Sequence, residues 1–528
     1  MKPTTKTREA IQWTGLIAGP IVAAACYPLL PTEYQAAGGE VVEFTATGRA
    51  TLAVMIWMAI WWLSEAIHIS ATALLPLAVF PLLGAADIKA SAAPYADPVI
   101  FLFMGGFLLA LSMQRWGLGK RIALMTLSLT GARPVRMVAG FMAATAVLSA
   151  FVSNTATTAM MLPIALSVLA LVRTSDDKDD NADPADDDPT KKLSADQDES
   201  DNFAVCLMLG IAYAASIGGI ATIIGTPPNV VLVGFLRDNI AEPYRTDISF
   251  ASWLPIGVPL VVAFLPIVLL LLTRVLYPIR IGEIKGGSEL IRNELKSLGP
   301  VNRGQWATFI VFMLAATLWI TRPWLQQIAF QIGETKFAPL AGLSDAGIAM
   351  SAALLLFVIP ARRGERTFVM DWETARQLPW GILILFGGGL SLAKAIDANG
   401  VADFIGSHAR VLAGMPTIVL IAVVAAGIVY LTELTSNTAT ITAMLPILAA
   451  MAPGLGIHPY LLIFPAAMAA SCAFMLPVAT PPNAIVFASG RITMPQMIRA
   501  GFWLNLIGVV LVTLLSYFVV GPLLGLEM

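Results

Sequence analysis

Eleven apolar runs of about the length that crosses a bilayer dominate this chain: 11–30, 50–66, 69–84, 98–114, 203–236, 252–278, 306–321, 345–360, 380–393, 459–488 and 501–523. A spanning helix needs about 20 apolar residues. Lipid offers no water to an open backbone, so runs of this kind must become helices that satisfy their own N–H and C=O groups. Composition agrees. Apolar residues make up 57% and charged residues 12%, about half of what a soluble surface carries. The expected fold class is therefore an all-α polytopic membrane protein. A soluble enzyme is excluded, and a nucleic-acid partner is not expected. The first run is read as a transmembrane helix, since its flanks lack a small-residue cleavage site.

Two further apolar stretches, 137–171 and 416–451, are interrupted near their middles by Ser-Asn-Thr. Each is expected to be a re-entrant hairpin. Positive-inside counting tests that layout. With the N-terminus in the cytoplasm, 23 Lys and Arg fall on cytoplasmic segments and 8 on outer ones. Making either hairpin a full span would exchange the sides of everything after it. The C-terminus is expected outside.

The two interruptions belong to an internal repeat. Ser153-Asn-Thr-Ala-Thr157 with Met161-Leu-Pro-Ile164 recurs as Ser436-Asn-Thr-Ala-Thr440 with Met444-Leu-Pro-Ile447, an offset of 283. Phe103 and Phe386, and Gly105-Gly106 and Gly388-Gly389, share that offset. Thr226-Pro-Pro-Asn229 recurs as Thr480-Pro-Pro-Asn483 at an offset of 254. The missing 29 residues match Thr174–Asn202, so that stretch is an insertion in the first copy. It holds twelve acidic and three basic residues between Asp176 and Asp201, and is expected to be a disordered cytoplasmic loop. Equivalent loops fall on opposite sides, so the copies are inverted. Inverted repeats place a transporter's site at their interface near the midplane.

Pro-Pro in a span, and Ser-Asn-Thr at a hairpin tip, both predict helix breaks with half-helix ends inside the membrane. N-terminal ends attract anions; unwound carbonyls suit a small hard cation. No Lys, Arg or His occurs in 149–165, 216–235, 432–450 or 471–490. An anion bound there must be balanced by helix dipoles and co-bound cations, which favours cation-coupled anion transport. The metalloprotease string HExxH, the nucleophile motif GxSxG and the Walker A loop are all absent, so no enzyme activity and no catalytic residue is expected. Cys26, Cys206 and Cys472 are far apart and show no metal-ligand or disulfide spacing.

The signatures resemble those of the divalent anion:sodium symporter (DASS) family, the INDY-type dicarboxylate and citrate transporters. Trp61-Trp-Leu-Ser-Glu-Ala-Ile67, Thr72-Ala-Leu-Leu-Pro76, both Ser-Asn-Thr strings, Gly225-Thr-Pro-Pro-Asn229 and Ala479-Thr-Pro-Pro-Asn483 carry the resemblance, which covers nearly the whole chain. It implies a homodimer in the bacterial inner membrane, with a scaffold domain and a transport domain that moves as an elevator. It implies sodium-coupled import of C4-dicarboxylates such as succinate, malate or fumarate. A citrate or sulfate carrier, or a sodium-independent exchanger, are the alternatives. One sodium ion would meet Ser149, Ser153, Asn154 and the carbonyl of Gly225. The other would meet Thr432, Ser436, Asn437 and the carbonyl of Ala479. Substrate carboxylates would meet Ser153, Asn154 and Thr155 on one side and Ser436, Asn437 and Thr438 on the other, with Thr226, Pro227, Thr480 and Pro481 closing the site. Relatives read Glu-Ala-Ile-Pro where this chain has Glu65-Ala-Ile-His68, for which a changed turn is expected.

The expected boundaries follow. Residues 1–97 and 252–379 form scaffold helices. The first inverted repeat spans 98–251, with hairpin 137–171, acidic loop 174–202 and broken helix 203–236. The second spans 380–500, with hairpin 416–451 and broken helix 459–488. A C-terminal helix occupies 501–528. Glu433, three residues before Ser436, is expected to pair with a neighbouring Lys or Arg at a hairpin base; raising the cation affinity of the nearby site is the alternative.

Overall fold

The computed structural model describes residues 5–35, 40–176, 189–238, 240, 248–284, 286–332, 335–361, 367–410 and 414–526. The chain is mostly helical, with two short antiparallel strand pairs: β1 (Glu33–Gln35) with β2 (Val41–Glu43), and β3 (Phe330–Ile332) with β4 (Thr335–Phe337). Helices α1 (Thr5–Leu29) and α2 (Ala46–Ser64) pack together, and the Trp61 indole donates to the Leu16 carbonyl at 3.3 Å. Short helices α3 (Ile69–Thr72), α4 (Leu75–Leu83) and α5 (Ile88–Ala92) lead to α6 (Pro98–Arg115) and α7 (Leu118–Ser128). His68 caps α3, its Nδ1 accepting the Ser70 N–H at 3.3 Å. The expected change at that turn is thus a histidine cap.

The first interrupted stretch folds as α8 (Pro134–Ser149) and α9 (Asn154–Asp176), and the first broken span as α10 (Pro189–Gly218) and α11 (Pro227–Asp238). There follow α12 (Phe250–Leu270), α13 (Gly287–Ser297), α14 (Arg303–Leu325), α15 (Asp345–Val358) and α16 (Trp372–Ala375). The second copy runs through α17 (Trp380–Ala398), α18 (Val401–Ala409), the pair α19 (Thr417–Thr432) and α20 (Asn437–Gly454), and the pair α21 (Tyr460–Ala469) and α22 (Pro481–Ala488). Helices α23 (Met494–Leu515) and α24 (Gly521–Leu523) end the chain.

Among the described residues, nine helices are long and apolar enough to cross a membrane. Eight coincide with expected spans. The ninth, Asn154–Val172, is the second arm of the first hairpin. The other three of the eleven are shorter, at Ile69–Leu83, Asp345–Val358 and Tyr460–Ala469. Their causes are local. The first turns at Ala73–Leu74, the second starts at its Ser344 cap, and the third stops where the chain unwinds. The acidic insertion needs a correction as well. It is helical from Pro189 onward, because a first-turn proline can start a helix that the apolar span then extends. Residues 177–188 lie outside the described residues.

The offset seen in the sequence recurs in contacts. Phe103 and Phe386 touch edge to face, ring centroids 5.7 Å apart. A Cβ on Gly105 would strike Ala349 on α15, and one on its counterpart Gly388 would strike Ala73 beside α3. Both glycines thus bring backbones into contact, which is how helices associate in lipid. Helix α10 is the most enclosed span; 94% of its apolar window is buried. Its Tyr213 hydroxyl donates to the Phe474 carbonyl at 3.1 Å, linking the first broken helix to the second.

Candidate functional site

In the first copy, the break at 150–153 faces the unwound turns that follow α10. The Ser149 hydroxyl oxygen lies 2.6 Å from Asn154 Oδ1 and 2.7 Å from the Ala215 carbonyl. One proton cannot serve both acceptors, so oxygen is in surplus here. The Ala150 carbonyl accepts the Thr222 hydroxyl. A Cβ on Gly225 would strike the Gly219 and Ala150 carbonyls, and one on Gly219 would lie 2.7 Å from Asn154 Oδ1 and 3.2 Å from the Gly225 carbonyl. Oxygens of Ser149, Ala150, Asn154, Gly219 and Gly225 therefore crowd one small region. Oxygen ligands of this kind suit a hard cation better than a soft one.

The second copy is built alike with one substitution of means. Ser436 caps α20, its hydroxyl accepting the Ala439 N–H at 3.5 Å, and Thr480 caps α22 by accepting the Asn483 N–H at 3.3 Å. Thr432 is buried, but its hydroxyl turns back to the Val429 carbonyl at 3.0 Å. The side-chain contact between Ser149 and Asn154 thus has no equivalent in these bonds, and Asn437 Oδ1 is buried without a hydrogen-bond partner. Where the first copy has Ala150, the second has Glu433, 4% exposed. Its carboxylate accepts the N–H groups of Phe474, Met475 and Leu476 at 2.7, 2.8 and 3.0 Å, and the Asn505 amide at 2.7 Å. The expected Lys or Arg partner is replaced by three consecutive backbone donors. They are free to bond it because the chain is not helical from 472 to 480.

The two breaks meet on one cavity of 1410 Å³. Ser153, Asn154, Thr155, Thr226, Pro227, Ser436, Asn437, Thr438, Thr480 and Pro481 all line it, as do Gly225 and Ala479. Ser149 and Thr432 do not; they are buried behind the tips. Four helices, α9, α11, α20 and α22, begin at lining residues. Their N-termini supply four positive dipole ends, and none of the lining residues is Lys, Arg or His. Between the polar tips stand two outward apolar side chains, Leu434 at 75% and Val478 at 65% exposure. The remaining wall includes Ser64, Glu65, Gln114 and Gln377. Glu65 is the one non-glycine at positive φ among the described residues, at 47°.

Three residues with bonds at this site carry no role in the sequence argument: Asn229, Asn483 and Asn505. The first two stand inside the duplicated Thr-Pro-Pro-Asn string, where repetition alone marks them.

Comparison with known proteins places the chain among transporters. Residues 42–526 match the family model of the sodium:sulfate symporter transmembrane region. A protein named sodium-dependent dicarboxylate transporter SdcS from Staphylococcus saprophyticus is 40% identical over 527 residues, covering 100% of this chain and 95% of that one. The SdcS of a Staphylococcus aureus strain is 41% identical over 481 residues, covering 91% of this chain and 87% of that one. Two solved transporters share the fold. Alcanivorax borkumensis YdaH has a TM-score of 0.57 at 14% identity over 98% of each chain. Neisseria gonorrhoeae MtrF has 0.59 at 13% identity, over 96% of this chain and 94% of that one.

Proposed function

The chain belongs to the sodium:sulfate symporter family, the divalent anion:sodium symporters, and on that premise we propose that it imports C4-dicarboxylates such as succinate, malate or fumarate together with sodium. It is an integral membrane protein whose relatives are transporters by name, not enzymes. Sodium-coupled dicarboxylate transport is what those relatives support.

The carrying observation is the cavity wall: four helix N-termini, polar and proline residues from two matched breaks, and no fixed cation among the described lining residues. A dicarboxylate there has its two charges met from opposite sides by Ser153, Asn154 and Thr155 and by Ser436, Asn437 and Thr438. Thr226, Pro227, Thr480 and Pro481 bound the space. Dipoles alone supply only partial charge, so sodium completes the neutralisation. One ion uses Ser149, Ser153, Asn154 and the Gly225 carbonyl; the other uses Thr432, Ser436, Asn437 and the Ala479 carbonyl. The shared residues Ser153, Asn154, Ser436 and Asn437 make the coupling reciprocal: each bound ion orders groups the anion needs, and the anion in turn tightens the ion.

In our assignment, 98–251 and 380–500 are two inverted repeats that carry the site, while 1–97 and 252–379 hold the scaffold and 501–528 the last helix. The site-bearing part moves as an elevator within each subunit of a homodimer, in a bacterial inner membrane with the N-terminus cytoplasmic and the C-terminus outside. In that orientation Gln114, Gln377 and Met494 stand at cytoplasmic helix ends, so this conformation opens inward. The two glutamines at the mouth and the apolar Leu434 and Val478 beside the tips suit a short carbon chain with charge at both ends. Uptake of labelled succinate into proteoliposomes with unlabelled competitors tests the substrate class. Malate and fumarate should compete strongly. Stronger competition by citrate or sulfate would replace the C4 assignment.

A further inference from the structure

Asn229 and Asn483 hold equivalent places in the two copies, and neither belongs to the cation or anion sets above. Asn229 Nδ2 lies 2.8 Å from the Thr222 carbonyl, 3.3 Å from that of Gly219 and 3.4 Å from that of Ile220. Asn483 Nδ2 lies 3.1 Å from the Leu476 carbonyl and 3.2 Å from that of Ala473. The offset of 254 carries 229 to 483, 222 to 476 and 219 to 473. The same bracket is therefore built twice. Both side chains are wholly buried, and in both Oδ1 is without a hydrogen-bond partner, so Nδ2 makes the contact.

The bracketed carbonyls have a second donor. Thr222 O also accepts the N–H of Gly225 at 3.4 Å, and Leu476 O also accepts the N–H of Ala479 at 3.2 Å. Gly225 and Ala479 are the two residues whose carbonyls are assigned to sodium. Each asparagine is thus one shared carbonyl away from a cation-binding peptide, in both copies, through matching atoms. Removing the amide would take a donor from every one of these carbonyls at once, and buried polar groups that lose a donor are costly, so the turns would rearrange.

We propose that Asn229 and Asn483 are positioning residues, one for each cation site: by fixing the 219–222 and 473–476 carbonyls they aim the carbonyls of Gly225 and Ala479, and so set sodium affinity while touching neither sodium nor substrate. This rests on the sodium-symport function proposed above. The same geometry explains why the motif ends in asparagine. Two hydrogens on one planar nitrogen can hold two or more carbonyls, which a hydroxyl cannot.

Asn229→Leu and Asn483→Leu keep the approximate shape and remove the donors without adding charge. In proteoliposomes, each should raise the sodium concentration for half-maximal succinate uptake about tenfold, the scale of a lost buried hydrogen bond or two. At saturating sodium, the maximal rate and the succinate KM should return to near wild type. A packing defect would instead lower the rate at every sodium concentration and leave half-saturation in place; that result, or no change at all, would overturn the proposal. If either Leu variant fails to insert, Asn229→Ser and Asn483→Ser are judged by the same criterion, and sodium-dependent thermal stabilisation of the purified protein replaces uptake as the readout. A wild type indifferent to sodium would fail the symport function first and this inference with it; unchanged variants on a sodium-dependent wild type would fail the inference alone.

Discussion

At the residue scale, the site depends on uncharged groups held in place by backbone geometry. Asn154 starts α9 and receives the Ser149 hydroxyl at 2.6 Å; Asn437 starts α20 with its Oδ1 buried and uncommitted. Asn154→Ala and Asn437→Ala should each cut succinate uptake by about tenfold or more, since a hydrogen bond to a charged partner is worth about 1.5–3 kcal/mol. Both variants should still insert, because each shortens one polar side chain at a hairpin tip that lines the cavity. Normal uptake by both would remove them from the site. Most of this was legible in the sequence, because Ser-Asn-Thr and Thr-Pro-Pro-Asn occur twice in apolar surroundings. Glu433 was not. Its partners Phe474, Met475 and Leu476 are backbone N–H groups, and a residue string does not show which N–H groups a break will free. A carboxylate beside a hairpin tip suggests a basic partner; only the unwound segment supplies three donors instead.

At the scale of elements, proline and glycine punctuation located the breaks to within a few residues. The chain leaves helix after Gly218 and resumes at Pro227, and leaves it after Ala469 and resumes at Pro481. Span number was harder to read. Apolar runs at 69–84, 345–360 and 459–488 look alike in composition to full spans but yield shorter helices, α3 and α4 of 4 and 9 residues, α15 of 14 and α21 of 10, because turns and caps inside or beside them end the hydrogen-bond ladder early. The acidic insertion falls between α9 and α10, and its second half continues as the start of α10. The second copy does without any such insertion, so deleting 178–198 should leave uptake and sodium dependence near wild type. A deletion that inserts normally but does not transport would show the segment to be functional.

At the scale of the whole molecule, Phe103 on Phe386 and the Tyr213 hydroxyl on the Phe474 carbonyl join the two sequence copies, while the asparagine brackets repeat within each copy. A single copy could supply only half of the cavity. Two copies supply four helix N-termini around one space, an arrangement that suits the doubly charged anion we propose. The orientation of that space has its own test. Cys206 and Cys472 are buried while Cys26 is partly exposed, so Cys26→Ser clears the background for Gln377→Cys. A membrane-impermeant thiol reagent should label that site from the cytoplasmic face and be blocked by saturating succinate with sodium. Labelling from the outer face alone would reverse the assigned topology.

The central claim is that sodium supplies the positive charge the cavity wall lacks. It is tested most directly by accumulation of labelled succinate in proteoliposomes under an imposed inward sodium gradient, compared with an equal potassium gradient. Succinate should rise above its external concentration only with sodium, and the accumulation should collapse when the gradient is dissipated. Uptake that ignores sodium and requires dicarboxylate preloaded inside the vesicles would contradict the claim and make the protein an exchanger.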